Sequence, residues 1–265
     1  LYRAGWILML VLAVMTLFHP PAKVFAHEIS GFVAGEARLF PNEALFPEQI
    51  NQSASFALQP EYYHEFESGS SFTFVPFLRV DSGDQERTHF DIREFTYLWL
   101  QEDYELRVGV RKVFWGTTEI LHLVDIINQN DQVENIDTED KLGQPMVNVS
   151  FFRDWGTIDI FMMPFFRERT FQGVGGRLRG ATPVDEDRVQ YESSAEEWHN
   201  DWAMRYTHTF GDLDIGLSQF IGTNREPTLL NGTDSSGNAI KIPRYEQIKQ
   251  TSVDASYVIG EWLWK

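Results

Sequence analysis

From Ala26 onward apolar and polar positions alternate with a period of two, in windows of about ten residues, and helical periodicity is rare. In Ser53–Phe66 one face carries Ala54, Phe56, Leu58, Pro60, Tyr62 and Phe66, and the other carries Ser53, Ser55, Gln59, Glu61, Tyr63 and Glu65. Leu106, Val108 and Val110 alternate with Arg107, Gly109 and Arg111. Leu213, Ile215 and Leu217 alternate with Asp214, Gly216 and Ser218, and Val253, Ala255, Tyr257 and Ile259 with Ser252, Asp254 and Ser256. The same pattern predicts strands near 31–40, 71–80, 89–100, 146–152, 157–166 and 201–210, ten in all, with an eleventh starting at Glu261. Glu94 interrupts the apolar side of 89–100, which leaves the face of that strand unassigned.

The links between strands come in two alternating lengths. Short turns fall at Glu67–Ser70, Gln101–Asp103, Arg153–Gly156, Gly211–Asp212 and Gly260–Glu261; longer links fall at 41–52, 81–88, 116–145, 167–200 and 223–246. A soluble β-sandwich has no reason to sort its loops by parity. A transmembrane antiparallel up-and-down β-barrel has one, because its turns are short on the periplasmic side and long outside. All-β architecture of that kind, with at least ten strands, is the expectation. Trp99, Trp155 and Trp262 lie beside short turns, and Trp115, Trp198 and Trp202 near long links, which matches two interfacial girdles; core aromatics of a soluble fold are the alternative. One face of the strands carries Glu36, Arg38, Glu61, Glu65, Arg79, Asp91, Arg93, Arg107, Arg111, Asp159, Arg205, Asp214 and Asp254. Charge on nearly every strand is costly in a dry core and natural beside water, so a wet lumen is expected over a salt-bridge-filled interior.

Composition narrows the setting. The 265 residues include no Cys, which removes disulfides, thiolate zinc sites and Cys nucleophiles together. With 39 Asp+Glu against 22 Lys+Arg the formal charge is −17, which repels a phosphate backbone and excludes a general nucleic-acid binder. Residues 1–26 read as a signal peptide: Arg3 at the start, an apolar core from Ala4 to Phe18, a break at His19-Pro20-Pro21, and Val24-Phe25-Ala26 before the cleavage point. The core is shorter than the roughly 20 residues of a spanning helix. Removing it takes away Arg3 and Lys23 and no acid, so residues 27–265, the expected barrel, hold 20 basic and 39 acidic residues.

The link 116–145 concentrates candidate chemistry. It holds Glu119, Asp125, Asp131, Glu134, Asp137, Glu139 and Asp140 against Lys141 alone. Ile120, Leu123, Val124 and Ile127 stand at helical spacing, which predicts a short amphipathic helix over Glu119–Ile127. Folded into the lumen, the acids would oppose Arg79, Arg93, Arg107 and Arg111 and set a transverse field across a constriction. Folded outward, they would hold divalent cations near lipopolysaccharide. The acids do not match the spacing of a 12-residue calcium loop.

The run KVFWGTTEILHLVDIINQNDQVENIDTEDKLGQPM (Lys112–Met146), set after a signal and among alternating strands, resembles a bacterial outer-membrane porin-type protein and is similar to porin-like and alginate-export-like families. The resemblance covers the layout of the mature chain, and its motif-like part is this run. It implies a passive diffusion channel of the Gram-negative outer membrane with 116–145 as constriction loop. It further implies no covalent step and no cofactor, with outer-membrane lipid, lipopolysaccharide and small hydrophilic solutes as partners, and is compatible with a homo-oligomer. Such barrels end in a strand with a terminal aromatic; Trp262-Leu263-Trp264-Lys265 departs from that, and the barrel is expected to be incomplete here.

Other signals are weaker. Gly173, Gly175, Gly176 and Gly180 with Arg177 and Arg179 lack the strand-then-helix context of a phosphate loop, so a flexible basic outer loop is expected. His199 and Asp201 near Ser193 and Ser194 invite a hydrolase reading at the rim around 193–202, without a Gly-x-Ser-x-Gly elbow. His122 and Asp125 are too few for zinc. A non-conducting barrel with a structural or adhesive role is the remaining alternative.

Overall fold

The structure is a computed structural model, and it describes residues 10–13, 27–118, 122–137 and 139–265. Alternation of the kind above buries one side chain in two, and the chain accordingly folds as strands, with two short 3-10 turns and no α-helix among the described residues. In chain order the strands are β1 (Leu10–Ala13), β2 (His27–Leu39), β3 (Gln52–Glu65), β4 (Ser71–Asp81), β5 (His89–Leu100), β6 (Tyr104–Arg111), β7 (Gln144–Arg153) and β8 (Gly156–Met163). They continue with β9 (Gln190–Tyr191), β10 (Asp201–Phe210), β11 (Leu213–Thr223), β12 (Thr228–Thr233), β13 (Ala239–Tyr245), β14 (Gln247–Ile259) and β15 (Trp262–Trp264).

Twelve of these form one sheet in the order β1-β2-β3-β4-β5-β6-β7-β8-β10-β11-β14-β15, with every neighbouring pair antiparallel. The large sheet is therefore a meander of hairpins, as the alternating links require. A closed barrel is not found among the described residues: β1 and β15 are the outer strands and share no ladder, which closure would demand. Residues 1–26, expected to be a signal peptide, lie outside the described residues except for Leu10–Ala13, which pair with Ala34–Ala37 on β2. Two tight turns, at Gly211-Asp212 and Gly260-Glu261, open on a glycine with φ 64° and 59°, the left-handed backbone a two-residue hairpin needs.

Over much of the sheet the polarity is reversed from that of a protein core, although the inner face also buries an apolar cluster of Met146, Phe161, Met163, Ala203 and Phe220 on β7, β8, β10 and β11. Ile158, Tyr206, Leu217 and Val253 are successive register partners on β8, β10, β11 and β14; Leu217 is 44% exposed and Val253 64%. One residue along, on the opposite face, stand Asp159, Arg205, Ser218 and Ser252. Arg205 and Ser218 there are buried. Across the other strands the apolar face shows Phe56, Leu78, Phe90, Phe95, Val108 and Ile160, all exposed, while Arg79, Asp91, Arg93, Asn148 and Ser150 are buried on the face we call inner. Near the short turns the outer face carries linked rings: His64 meets Phe66 at 4.5 Å and Phe66 meets Tyr97 at 6.0 Å, and further round Trp155 stacks on Tyr206 at 6.2 Å.

Glu94 has a structural explanation. The β4–β5 register pairs Val75 with Glu94 and Pro76 with Ile92, so Arg93 is an extra residue in a bulge. The bulge shifts the phase by one: Phe90 and Ile92 face outward before it, and Phe95, Tyr97 and Trp99 after it, which leaves Asp91, Arg93 and Glu94 on the inner side.

Three expectations about the links need correction. The link 223–246 is no plain loop: it holds the hairpin β12–β13, which forms a second sheet with β9. Gly232 and Pro243 mask its alternation. The helix expected over Glu119–Ile127 does not form over residues 122–127, which make turns and irregular chain; Glu119, Ile120 and Leu121 lie outside the described residues. Of that apolar set Ile127 is fully buried against Met146, Phe161 and Phe220 and Val124 packs beside it, whereas Leu123 is exposed. The glycine-rich segment is likewise laced down and not free: Ile50 N–H donates to Gly175 O at 3.2 Å, and Arg179 Nη2 donates to Pro47 O at 2.8 Å.

Candidate functional site

The long segment between β6 and β7 lies on the inner face, and its backbone polarity is satisfied by a few side chains. Asn128 holds both of its ends. Its Oδ1 accepts from Val113 N–H at 2.8 Å, and its Nδ2 donates to Arg111 O at 2.9 Å and Leu142 O at 2.8 Å. Beyond that clamp, Leu142 N–H donates to Gln129 O at 2.9 Å and Asp131 N–H to Asp140 O at 2.8 Å, which lays 129–131 antiparallel beside 140–142.

Two carboxylates tie this segment to the wall. Asp131 Oδ2 accepts from Arg93 Nη2 at 2.6 Å, and its Oδ1 accepts from Thr170 Oγ1 at 2.8 Å. Glu134 accepts from Arg79 Nε at 2.8 Å and pairs with Arg79 Nη2 at 2.7 Å. Arg87 completes the cluster: it donates to Val133 O at 3.0 Å and pairs with Asp81 at 2.7 Å and Glu36 at 3.1 Å. His89 Nε2 stands 3.6 Å from Glu134 and 3.9 Å from Asp131 without a hydrogen bond to either. Paired so closely, these buried charges meet much of their desolvation cost; an unpaired one would not.

The other end of the segment reaches the far side of the sheet. Arg225 Nε donates to Ile127 O at 3.1 Å while its Nη1 pairs with Asp201 at 2.7 Å. Burial pulls the Arg225 guanidinium below its ordinary value, against the attraction of Asp201. Thr117 Oγ1 donates to Ala255 O on β14 at 3.2 Å, and Gln250 Nε2 to Leu123 O at 3.4 Å. One segment thus spans from β4 and β5 to β14. Burial raises the Asp125 carboxyl although Lys141 lies at 3.4 Å.

The acids and arginines singled out from sequence divide sharply. Asp131 and Glu134 meet Arg93 and Arg79 in direct contact, with no water gap between them. Arg107 instead pairs with Glu105 of its own strand, and Arg111 donates to Asn148 Oδ1 at 2.6 Å. Asp137, Glu139 and Asp140 stay on the segment's outer side: Asp137 accepts from Glu139 N–H at 3.1 Å, Glu139 meets His122 at 2.8 Å, and Asp140 accepts from Asn135 at 2.6 Å. Glu119 lies outside the described residues. Arg87 and Asn128, central here, carried no sequence signal, because neither its neighbours nor its spacing marks it out.

Toward the short turns the inner face opens into two polar hollows, one of about 180 Å³ beside Glu94, Arg107 and Arg111, and one of about 430 Å³ on β8, β10, β11 and β14. His199 Nδ1 meets the buried Asp201 at 2.8 Å, but that carboxylate is shared with Thr223 and Arg225, and among the described residues no serine hydroxyl is bonded to the imidazole. No group of three or more His, Asp or Glu among the described residues is arranged to hold a metal ion. No protein-family model matches the chain, nor does any curated protein or solved structure.

Proposed function

We propose that residues 27–265 form the wall of a transmembrane β-barrel of the bacterial outer membrane, delivered there by the 1–26 signal, and that this wall passes small hydrophilic solutes down their gradient. The observation that carries the reading is the reversed polarity of the sheet. An exposed apolar face with aromatic rings near the short turns suits lipid and headgroups, and the charged stretches of the inner face, outside the apolar cluster under Ile127, suit a watery lumen. The segment 112–143 then acts as the constriction, pinned by Asp131–Arg93 and Glu134–Arg79, with Asp137, Glu139 and Asp140 left to bias passing ions. Nothing in this needs a cofactor or a covalent step.

Close pairing of the loop acids with the wall also favours a second reading, a plugged barrel with a structural role. Planar bilayers separate the two. Purified full chain giving stepwise conductance, with cation preference reduced by Asp137→Asn, Glu139→Gln and Asp140→Asn together, supports the channel; insertion without conductance supports the plug.

A further inference from the structure

The larger hollow is built from a tile of register partners. Thr157 on β8, Thr207 on β10, Gly216 on β11 and Asp254 on β14 stand side by side on the inner face. Behind them Arg205 pairs with Asp254 at 2.7 Å and lies 5.5 Å from the Trp115 ring centre, so its guanidinium is held from two sides. Gly216 is what admits that pair: a Cβ there would fall 2.2 Å from Arg205 Nη2 and 2.7 Å from Asp254 Oδ1. The constriction segment contributes the opposite lip through Thr117. At about 430 Å³ the hollow falls within the ~300–1,000 Å³ of small-molecule sites.

Its chemistry selects against ions and for hydroxyls. Arg153 and Arg205 are offset by Asp214 and Asp254, so a charged solute gains little net attraction and still loses its water. Threonine hydroxyls both donate and accept, and a carboxylate beside a guanidinium offers an acceptor next to a donor. Adjacent hydroxyl groups on a sugar ring likewise offer donors and acceptors side by side. We infer that this hollow is a binding subsite for neutral polyhydroxylated solutes, mono- or disaccharides. The inference rests on the channel reading, of which it names the solute class.

Calorimetric titration of the detergent-folded full chain with maltose, and with glucuronate as charged comparator, tests it without requiring conduction. Maltose should bind and glucuronate should bind more weakly. Thr157→Val and Thr207→Val, close in shape but lacking the hydroxyl, should each weaken maltose by about 3- to 10-fold, the worth of one hydrogen bond. Circular dichroism of the variants should be unchanged; if one misfolds, the other carries the test. No maltose binding, binding indifferent to both substitutions, or tighter binding of glucuronate overturns the subsite. Binding without bilayer conductance would keep the subsite and overturn the channel, whereas conductance without binding would do the reverse.

Discussion

Arg93 Nη2 reaches Asp131 Oδ2 at 2.6 Å across 38 residues of sequence, with Asp131 1% exposed and the arginine 4%. Arg93 is also the bulged residue of β5, so the extra residue that breaks the strand's phase supplies the anchor for the segment between β6 and β7. A bulge re-aims one side chain at the cost of a local break in the ladder, which resumes beyond it in shifted register.

Removing one member of this pair strands a buried charge. Arg93→Ala is expected to cost about 3–5 kcal/mol and to make 112–143 cleavable by protease. Replacing Arg93 and Asp131 together with apolar residues should cost less than either single change. Urea unfolding and limited proteolysis of the folded protein check this; equal losses in the single and double variants would count against an anchoring pair.

Asn128→Ala leaves Arg111 O and Leu142 O without their side-chain partner. The expected loss is about 1–3 kcal/mol, concentrated at the two ends of the segment. Hydrogen exchange at the Val113 amide, which the same side chain holds, should quicken while exchange in β8 and β10 stays slow.

The lipid-facing reading separates two adjacent residues. Val253→Arg on the outer face should impair folding into liposomes by about 2–4 kcal/mol if it sits near mid-bilayer. Ser252→Arg, on the inner face, should insert normally. Equal behaviour of the two in a vesicle-folding assay would remove the basis of the membrane proposal.

Glu186 gives a pH dependence to the long-loop end. Burial pushes its carboxyl from 4.5 up to about 7, opposed by the Phe171 N–H and aided by Glu86, Glu168 and Asp187. The folded state therefore keeps a proton that the unfolded chain has released between about pH 4.5 and 7, so stability is full below that window and declines as pH rises through it. Melting temperatures measured across the window should fall in the parent protein, and Glu186→Gln should flatten that slope. Parallel slopes would show that the carboxyl does not titrate there.

How much of this was legible in the sequence differs from element to element. The strands of the meander were, because alternation is a local property and each strand buries one face whatever lies across from it. Hairpin β12–β13 was not, since Gly232 and Pro243 interrupt the pattern and its pairing with β9 is supplied by a distant part of the chain. Seven acids in one link were visible, but nothing local distinguishes Asp131 and Glu134, which are buried on arginines, from the exposed Asp137 and Glu139 and the half-buried Asp140, which meet no wall arginine.

Sequence alone determined the succession of hairpins in the large sheet, the alternation of short and long links, and, outside 89–100, which side chains share a face, since each follows from two-residue periodicity and turn chemistry along a continuous stretch. Only the tertiary structure decided that 112–143 lies against the inner face, which two of four arginines it meets, and where Asn128, Arg87 and the Arg205–Asp254 pair do their holding. Those contacts join residues tens of positions apart, and their partners are chosen by packing and desolvation that no local pattern encodes.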